Sequence, residues 1–196
     1  MSEQISIKDS YEKERIAQEV KTLLTESGID FSSWGTGKSK TIDHLIEEVY
    51  VGETKLVKDE NGGVVRKLSV IILHVTCQTP DGKTWLLKED KQVFNDGRER
   101  KRNLNGSIFE KIKPDEDLEV AASRALSEEL DIKDVDQIKF GNDEIETLDS
   151  PSYPGLKSMY TKHNAEVQIH SSDFKPEGYQ EIQKDKTTYF IWEQID

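Results

Sequence analysis

The stretch LSVIILHVTC, residues 68–77, constrains the fold most, because its aliphatic and β-branched side chains are interrupted only by Ser69, His74 and Thr76 and it ends at the turn TPDG. It is far short of the roughly 20 apolar residues that a membrane-spanning helix needs, so it reads as a buried strand. Its neighbours read the same way. KLV and DENGG precede VVRKLS, and TWLLKED follows TPDG, so two β-hairpins are expected. Asn61-Gly62-Gly63 and Pro80-Asp81-Gly82 supply the backbone angles that tight turns require.

Helical periods flank this β region. In residues 10–27, Ile16, Val20, Leu23 and Leu24 share one stripe, Asp9 with Glu12 forms a capping box, and Gly28 ends the helix. The following FSSWGTGKSKT contains GTGKS but not a phosphate-binding P-loop, since Ser32 stands where the first glycine belongs. A loop is expected, with Ser39 or Thr41 capping a short helix at 42–49. Further on, 95–106 reads as a polar loop, 117–130 as a helix, SYPGL as a turn, and 165–170 and 187–192 as strands.

Charge narrows the partners. Lys and Arg number 27 against 39 Asp and Glu, a net charge of -12, which opposes binding to the phosphates of nucleic acid. The lone Cys77 has no partner for an internal disulfide, and the polar start MSEQISIKDS lacks the apolar run of a secretory signal. The expectation is a soluble cytoplasmic protein with no membrane and no nucleic-acid partner; a homodimer is admitted.

The helix at 117–130 carries the chemistry. In steps of 100° from Leu118, residues Ala121, Ala122, Ala125, Leu126 and Leu130 make one broad apolar face, and Glu129 falls inside it at about 20°. Glu128 and Arg124 line its edge. A carboxylate on an apolar face needs a cation, either a basic side chain from the sheet or a divalent metal, unless the helix ends early and the side chain swings into solvent.

The segment EKIKPDEDLEVAASRALSEELDI, residues 110–132, resembles the signature of the Nudix hydrolases, G-x5-E-x7-R-E-U-x-E-E-x-G-U with U aliphatic. Glu116, Arg124, Leu126, Glu128, Glu129 and Ile132 stand at matching positions without a gap. Three positions depart: Glu110 replaces the first glycine, Ala125 the glutamate after the arginine, and Asp131 the last glycine.

The resemblance implies an α/β fold, a Nudix-like α/β/α sandwich with a mixed β-sheet over residues 51–196, preceded by an N-terminal helical extension, 1–50. It implies a pyrophosphohydrolase that uses Mg²⁺ or Mn²⁺ on a nucleoside diphosphate linked to another moiety, the substrate being a nucleotide-diphosphate small molecule. Glu128 and Glu129 become metal ligands, Glu116 an outer ligand or structural partner, and Arg124 the residue that orients the carboxylates, with Glu129 and Arg124 central to catalysis. A hard cation suits an oxygen-rich diphosphate.

Ala125 removes one expected carboxylate. Either another acid, such as Glu144, Glu146 or Glu166, takes its place, or the fold serves as a non-catalytic module that binds a nucleotide or a protein. Arg98 and Arg100, with Lys101 and Arg102, are candidates for gripping an anionic substrate, or a solvated loop offsetting nearby acids. Tyr153 or Tyr160 near SYPGL is a candidate for stacking on a base.

Overall fold

The computed structural model describes residues 2–102, 104 and 106–196, with side chains from residue 10 onward. The chain forms two compact units, Met1–Ser69 with Glu144–Thr161, and Val70–Asp143 with Lys162–Asp196.

The first unit contains helices α1, Ser2–Glu26, and α2, Ile42–Tyr50, and the strand β1, Lys55–Lys58. Strand β1 pairs antiparallel with the start of β2, Val64–Gln78, through the turn at Asn61-Gly62-Gly63, as expected. Helix α1 begins at Ser2 and runs through Asp9, so no cap lies there; the Asp9 side chain itself is outside the described residues. Thr41 caps α2, its hydroxyl accepting from the His44 amide at 3.3 Å. The GTGKS segment is a loop in which the Ser39 hydroxyl donates to the Thr36 carbonyl at 2.7 Å. Val20, Leu24, Trp34, Leu45, Ile46, Val64, Tyr153 and Leu156 make the core of this unit, which joins residues from both sides of position 50.

The second unit is built on the rest of β2, on β3, Thr84–Phe94, β4, Glu99–Arg100, and β5, Ile108–Lys111. It continues with helix α3, Leu118–Leu130, with parts of β6, Gln137–Asp149, and β7, Lys157–Ile169, and with β8, Tyr179–Ile182, and β9, Lys186–Gln194. The strand order is β6-β7-β2-β3-β9-β8, with β5 also pairing β2 and β4 pairing β3. The Arg66 guanidinium donates to the Ser158 hydroxyl at 3.3 Å and the Thr76 hydroxyl to the Val167 carbonyl at 3.1 Å, so β2 and β7 advance together and run parallel. The pairs β2–β3, β3–β9 and β8–β9 are antiparallel. The α/β class and the mixed sheet are therefore both present.

Sequence reading missed β5, β6 and β8, and the 95–106 loop holds the two-residue β4. Helix α3 packs Ala121, Ala122, Ala125, Leu126 and Leu130 against Ile71, Leu73 and Val75 of β2 and Val167 and Ile169 of β7. Asp131 ends it in the left-handed region, φ 57, where the Ile132 amide reaches the Leu126 carbonyl at 3.2 Å.

Two irregularities position the site. Strand β3 bulges between Glu89 and Lys91, so that Glu89 opposes Phe190 and Gln92 opposes Thr188. Phe190 and Thr188 alternate along β9, which puts Glu89 and Gln92 on one face. The turn into β8 passes so close to β9 that a Cβ on Gly178, at φ 82, would lie 1.9 Å from the Phe190 carbonyl oxygen. Only glycine fits there.

Candidate functional site

The site lies in the second unit, where α3 ends beside β8. Arg124 organises the entry to the helix. Its Nε donates to Glu116 Oε1 at 2.7 Å and its Nη2 to Glu116 Oε2 at 3.0 Å, while Nη1 reaches Glu110 at 3.2 Å and Glu128 at 3.0 Å. Nη2 also donates to the Lys111 carbonyl at 2.7 Å, tying α3 to β5. A planar guanidinium with five donors can hold three carboxylates and a backbone oxygen at once. The ion pair keeps the Glu116 carboxyl below the usual carboxylate range and raises Arg124 further still. Glu110 is pushed up, because its burial outweighs the contact with Arg124.

Glu129 sits differently. Burial raises its carboxyl well above the usual range, and the neighbouring Glu181 and then Glu110 add to the rise, with Lys186 opposing it. Glu181 projects from β8, so the pair is made by two elements, α3 and β8. Glu128, Glu129, Asp131, Gly178 and Glu181 line a cleft of about 380 Å³.

Glu116, Arg124 and Glu128 thus meet in one network, and Glu129 adjoins it through Glu110. The Glu128 side chain is 52% exposed, so only Glu129 turns inward, as its more central place on the helical wheel requires. Tyr153 is not a stacking surface. It is fully buried in the first unit's core, its ring 5.1 Å from that of Trp34 and 5.3 Å from the Arg66 guanidinium. Arg98 is exposed but bonded to Asp96 at 2.7 Å within its own turn, and Arg100 is exposed on β4 opposite Gln92. Glu166 lies on the surface 3.9 Å from Lys139.

Ala125 is fully buried within the apolar core, not on the cleft. Sequence reasoning missed Glu110 and Glu181. Glu110 stands where the signature has glycine, and Glu181 lies in the short strand YQEI, which carries no periodic signal.

Among the described residues, no three or more His, Cys, Asp or Glu side chains converge as a metal-holding group. The cleft nevertheless brings the carboxylates of Glu128, Glu129, Asp131 and Glu181 beside Tyr179 and Gln180, oxygen donors of the type that hard divalent cations take, and burial followed by the neighbouring Glu181 raises the Glu129 carboxyl. In that sense the residues fit a cation. No described helix is long and apolar enough to cross a membrane.

No protein-family model and no curated protein matches the sequence. Among solved structures, the chain is similar to a C. elegans Ap4A hydrolase at 18% identity, covering 64% of this chain and 79% of that one, with TM-score 0.34. It is also similar to the NUDIX domain of Shewanella oneidensis NrtR, complexed with ADP ribose, at 12% identity, over 65% and 73% of the two chains, with TM-score 0.36. A third is the M. Smegmatis Nudix hydrolase RenU, at 17% identity, over 59% and 68%, with TM-score 0.30.

Proposed function

We propose that this chain is a cytoplasmic Nudix-type hydrolase that uses Mg²⁺ or Mn²⁺ to cleave a nucleoside diphosphate linked to another moiety. The observation that carries the reading is the crowding of Glu129 against Glu181 and Glu110 inside a cleft, next to an arginine that already neutralises Glu116 and Glu128. A divalent cation would relieve that repulsion.

Glu129 and Glu181 would hold the cation, with Glu110 and the half-exposed Glu128 as further ligands. When bound, the cation screens the diphosphate and stabilises charge developing at the leaving oxygen. Arg124 fixes the helix entry and the orientation of Glu128. Glu129, once ionised, would be placed to take a proton from the attacking water at a carboxylate oxygen. Arg100, and Arg98 beyond its bond to Asp96, would add long-range attraction for the anionic substrate.

The second reading, a non-catalytic module that binds a nucleotide or a protein, is favoured by one observation: the methyl group of Ala125, turned into the core, stands where the signature has a carboxylate. Turnover and metal binding decide between them. Nucleoside diphosphate sugars, dinucleoside polyphosphates, ADP-ribose and nucleoside triphosphates are incubated with Mg²⁺ or Mn²⁺, and Mn²⁺ binding is followed by calorimetry. Hydrolysis of at least one of them, with both Mn²⁺ binding and kcat sharply lower in Glu181→Gln, is expected. A wild type that neither binds Mn²⁺ nor turns over any of these compounds leaves the binding module in front.

A further inference from the structure

Across the same sheet face from the carboxylates, two cations converge on one neutral acceptor. Gln92 is buried, and with its amide oriented so that no donor faces a donor, its oxygen accepts from Lys186 Nζ at 2.9 Å and Arg102 Nη2 at 3.3 Å. Arg102 is further fixed by Glu89, whose side chain is 1% exposed: Nε donates to Oε1 at 2.8 Å and Nη2 contacts Oε2. The bulge in β3 is what lets Glu89 and Gln92 hold the same guanidinium.

Lys186 has no such counter-ion. Among the described residues, no carboxylate lies within 4.0 Å of its ammonium. Arg102 is its near neighbour, and Glu181, Asp185 and Glu89 act on it only at longer range. Half-burying an ammonium beside a guanidinium, with a carbonyl as its bonded partner, is unfavourable in the absence of an anion. With Nε and Nη2 of Arg102 taken by Glu89, a phosphate group would meet the Nη1 edge of the guanidinium and the point charge of Lys186 next to it.

We propose that Arg102 and Lys186, held apart and aimed by Gln92, form a phosphate-gripping subsite that takes one phosphoryl group of a diphosphate whose other end faces Glu129 and Glu181. The inference rests on the hydrolase reading for the identity of the ligand, and it adds two residues that the signature segment does not contain. Arg102 and Lys186 supply two positive charges against the single buried Glu89. Lys186 is within electrostatic reach of Glu129 and Glu181, so an anion held by the two cations lies toward those carboxylates.

The test uses the full chain in EDTA, titrated with inorganic pyrophosphate in a calorimeter at several KCl concentrations. Lys186→Met keeps the length of the side chain and removes a charge that has no counter-ion, so it folds; thermal unfolding verifies this. Exposed Lys184→Met serves as the control. Lys186→Met is expected to weaken pyrophosphate binding about tenfold and to flatten its salt dependence. Lys184→Met changes neither, and Lys186→Arg restores most of the affinity. Equal affinity in wild type and Lys186→Met, or no binding by the wild type, overturns the proposal. Since neither metal nor turnover is involved, pyrophosphate binding through Lys186 in a protein that hydrolyses nothing overturns the enzyme reading alone. Hydrolysis by a protein whose pyrophosphate affinity ignores Lys186 overturns the subsite alone.

Discussion

Arg124 and Glu116 meet through two parallel contacts, Nε to Oε1 at 2.7 Å and Nη2 to Oε2 at 3.0 Å, with both side chains largely withdrawn from solvent. Replacing Arg124 with Met leaves Glu116 and Glu110 without their cation and is expected to cost roughly 3 kcal/mol at pH 7. The pH dependence has a definite sign. Because the folded state holds the Glu116 carboxyl below its unfolded value, this stability is present above the ordinary carboxylate range and lost as pH falls through the lowered one. Urea unfolding between pH 3 and pH 7 should show the gap between wild type and Arg124→Met narrowing towards acid. A gap that is constant with pH assigns Arg124 a packing role only.

Glu129 behaves in the opposite sense. Burial and Glu181 raise its folded carboxyl above the unfolded value, so its contribution is complete below the ordinary carboxylate range and is lost as pH rises through the raised one. In EDTA, Glu129→Gln should therefore unfold at the same temperature as wild type near pH 4 and at a higher temperature near pH 8. Adding Mn²⁺ at pH 8 should lift the wild-type Tm and leave the variant where it was. Identical Tm profiles for the two proteins across this range contradict the crowding of Glu129.

Ala125→Glu, which on the signature alone restores a third carboxylate, should instead damage the protein. The side chain is fully buried among Ala121, Ala122 and Leu126, and a glutamate there is both too large and without a cation. A loss of roughly 3 kcal/mol in denaturant unfolding is expected, with no gain in Mn²⁺ affinity. A stable variant that binds Mn²⁺ more tightly than wild type places Ala125 on the cleft after all.

Much of this arrangement was legible in the chain. The hairpins around 61–63 and 80–82 follow from turn residues between β-branched runs, and the inward turn of Glu129 follows from 100° steps. The register of Glu116 with Arg124 survives because an eight-residue spacing across a helix start is a local matter. Glu181, Gln92 and Lys186 were not legible. They meet through antiparallel pairing of β8, β9 and β3, and sequence carries no period that relates a residue near 90 to one near 186. Tyr153 failed for a related reason: SYPGL has the composition of a surface turn, but Trp34 and Arg66, both distant in sequence, close over the ring.

The bulge at Glu89 has a consequence for how this protein tolerates change in length. Side chains alternate along a strand, so Glu89 and Gln92, three apart in sequence, would face opposite sides of a regular β3, and the extra residue between them is what puts both on one face. Deleting Asp90 leaves them two apart and still on that face, opposite Phe190 and Thr188, so Arg102 keeps its counter-ion and still shares the amide with Lys186. The polar run KEDKQ therefore tolerates the loss of one residue, but not a pairing that irons out the bulge with every residue kept. In β3, residue count as well as residue identity sets what the sheet face presents.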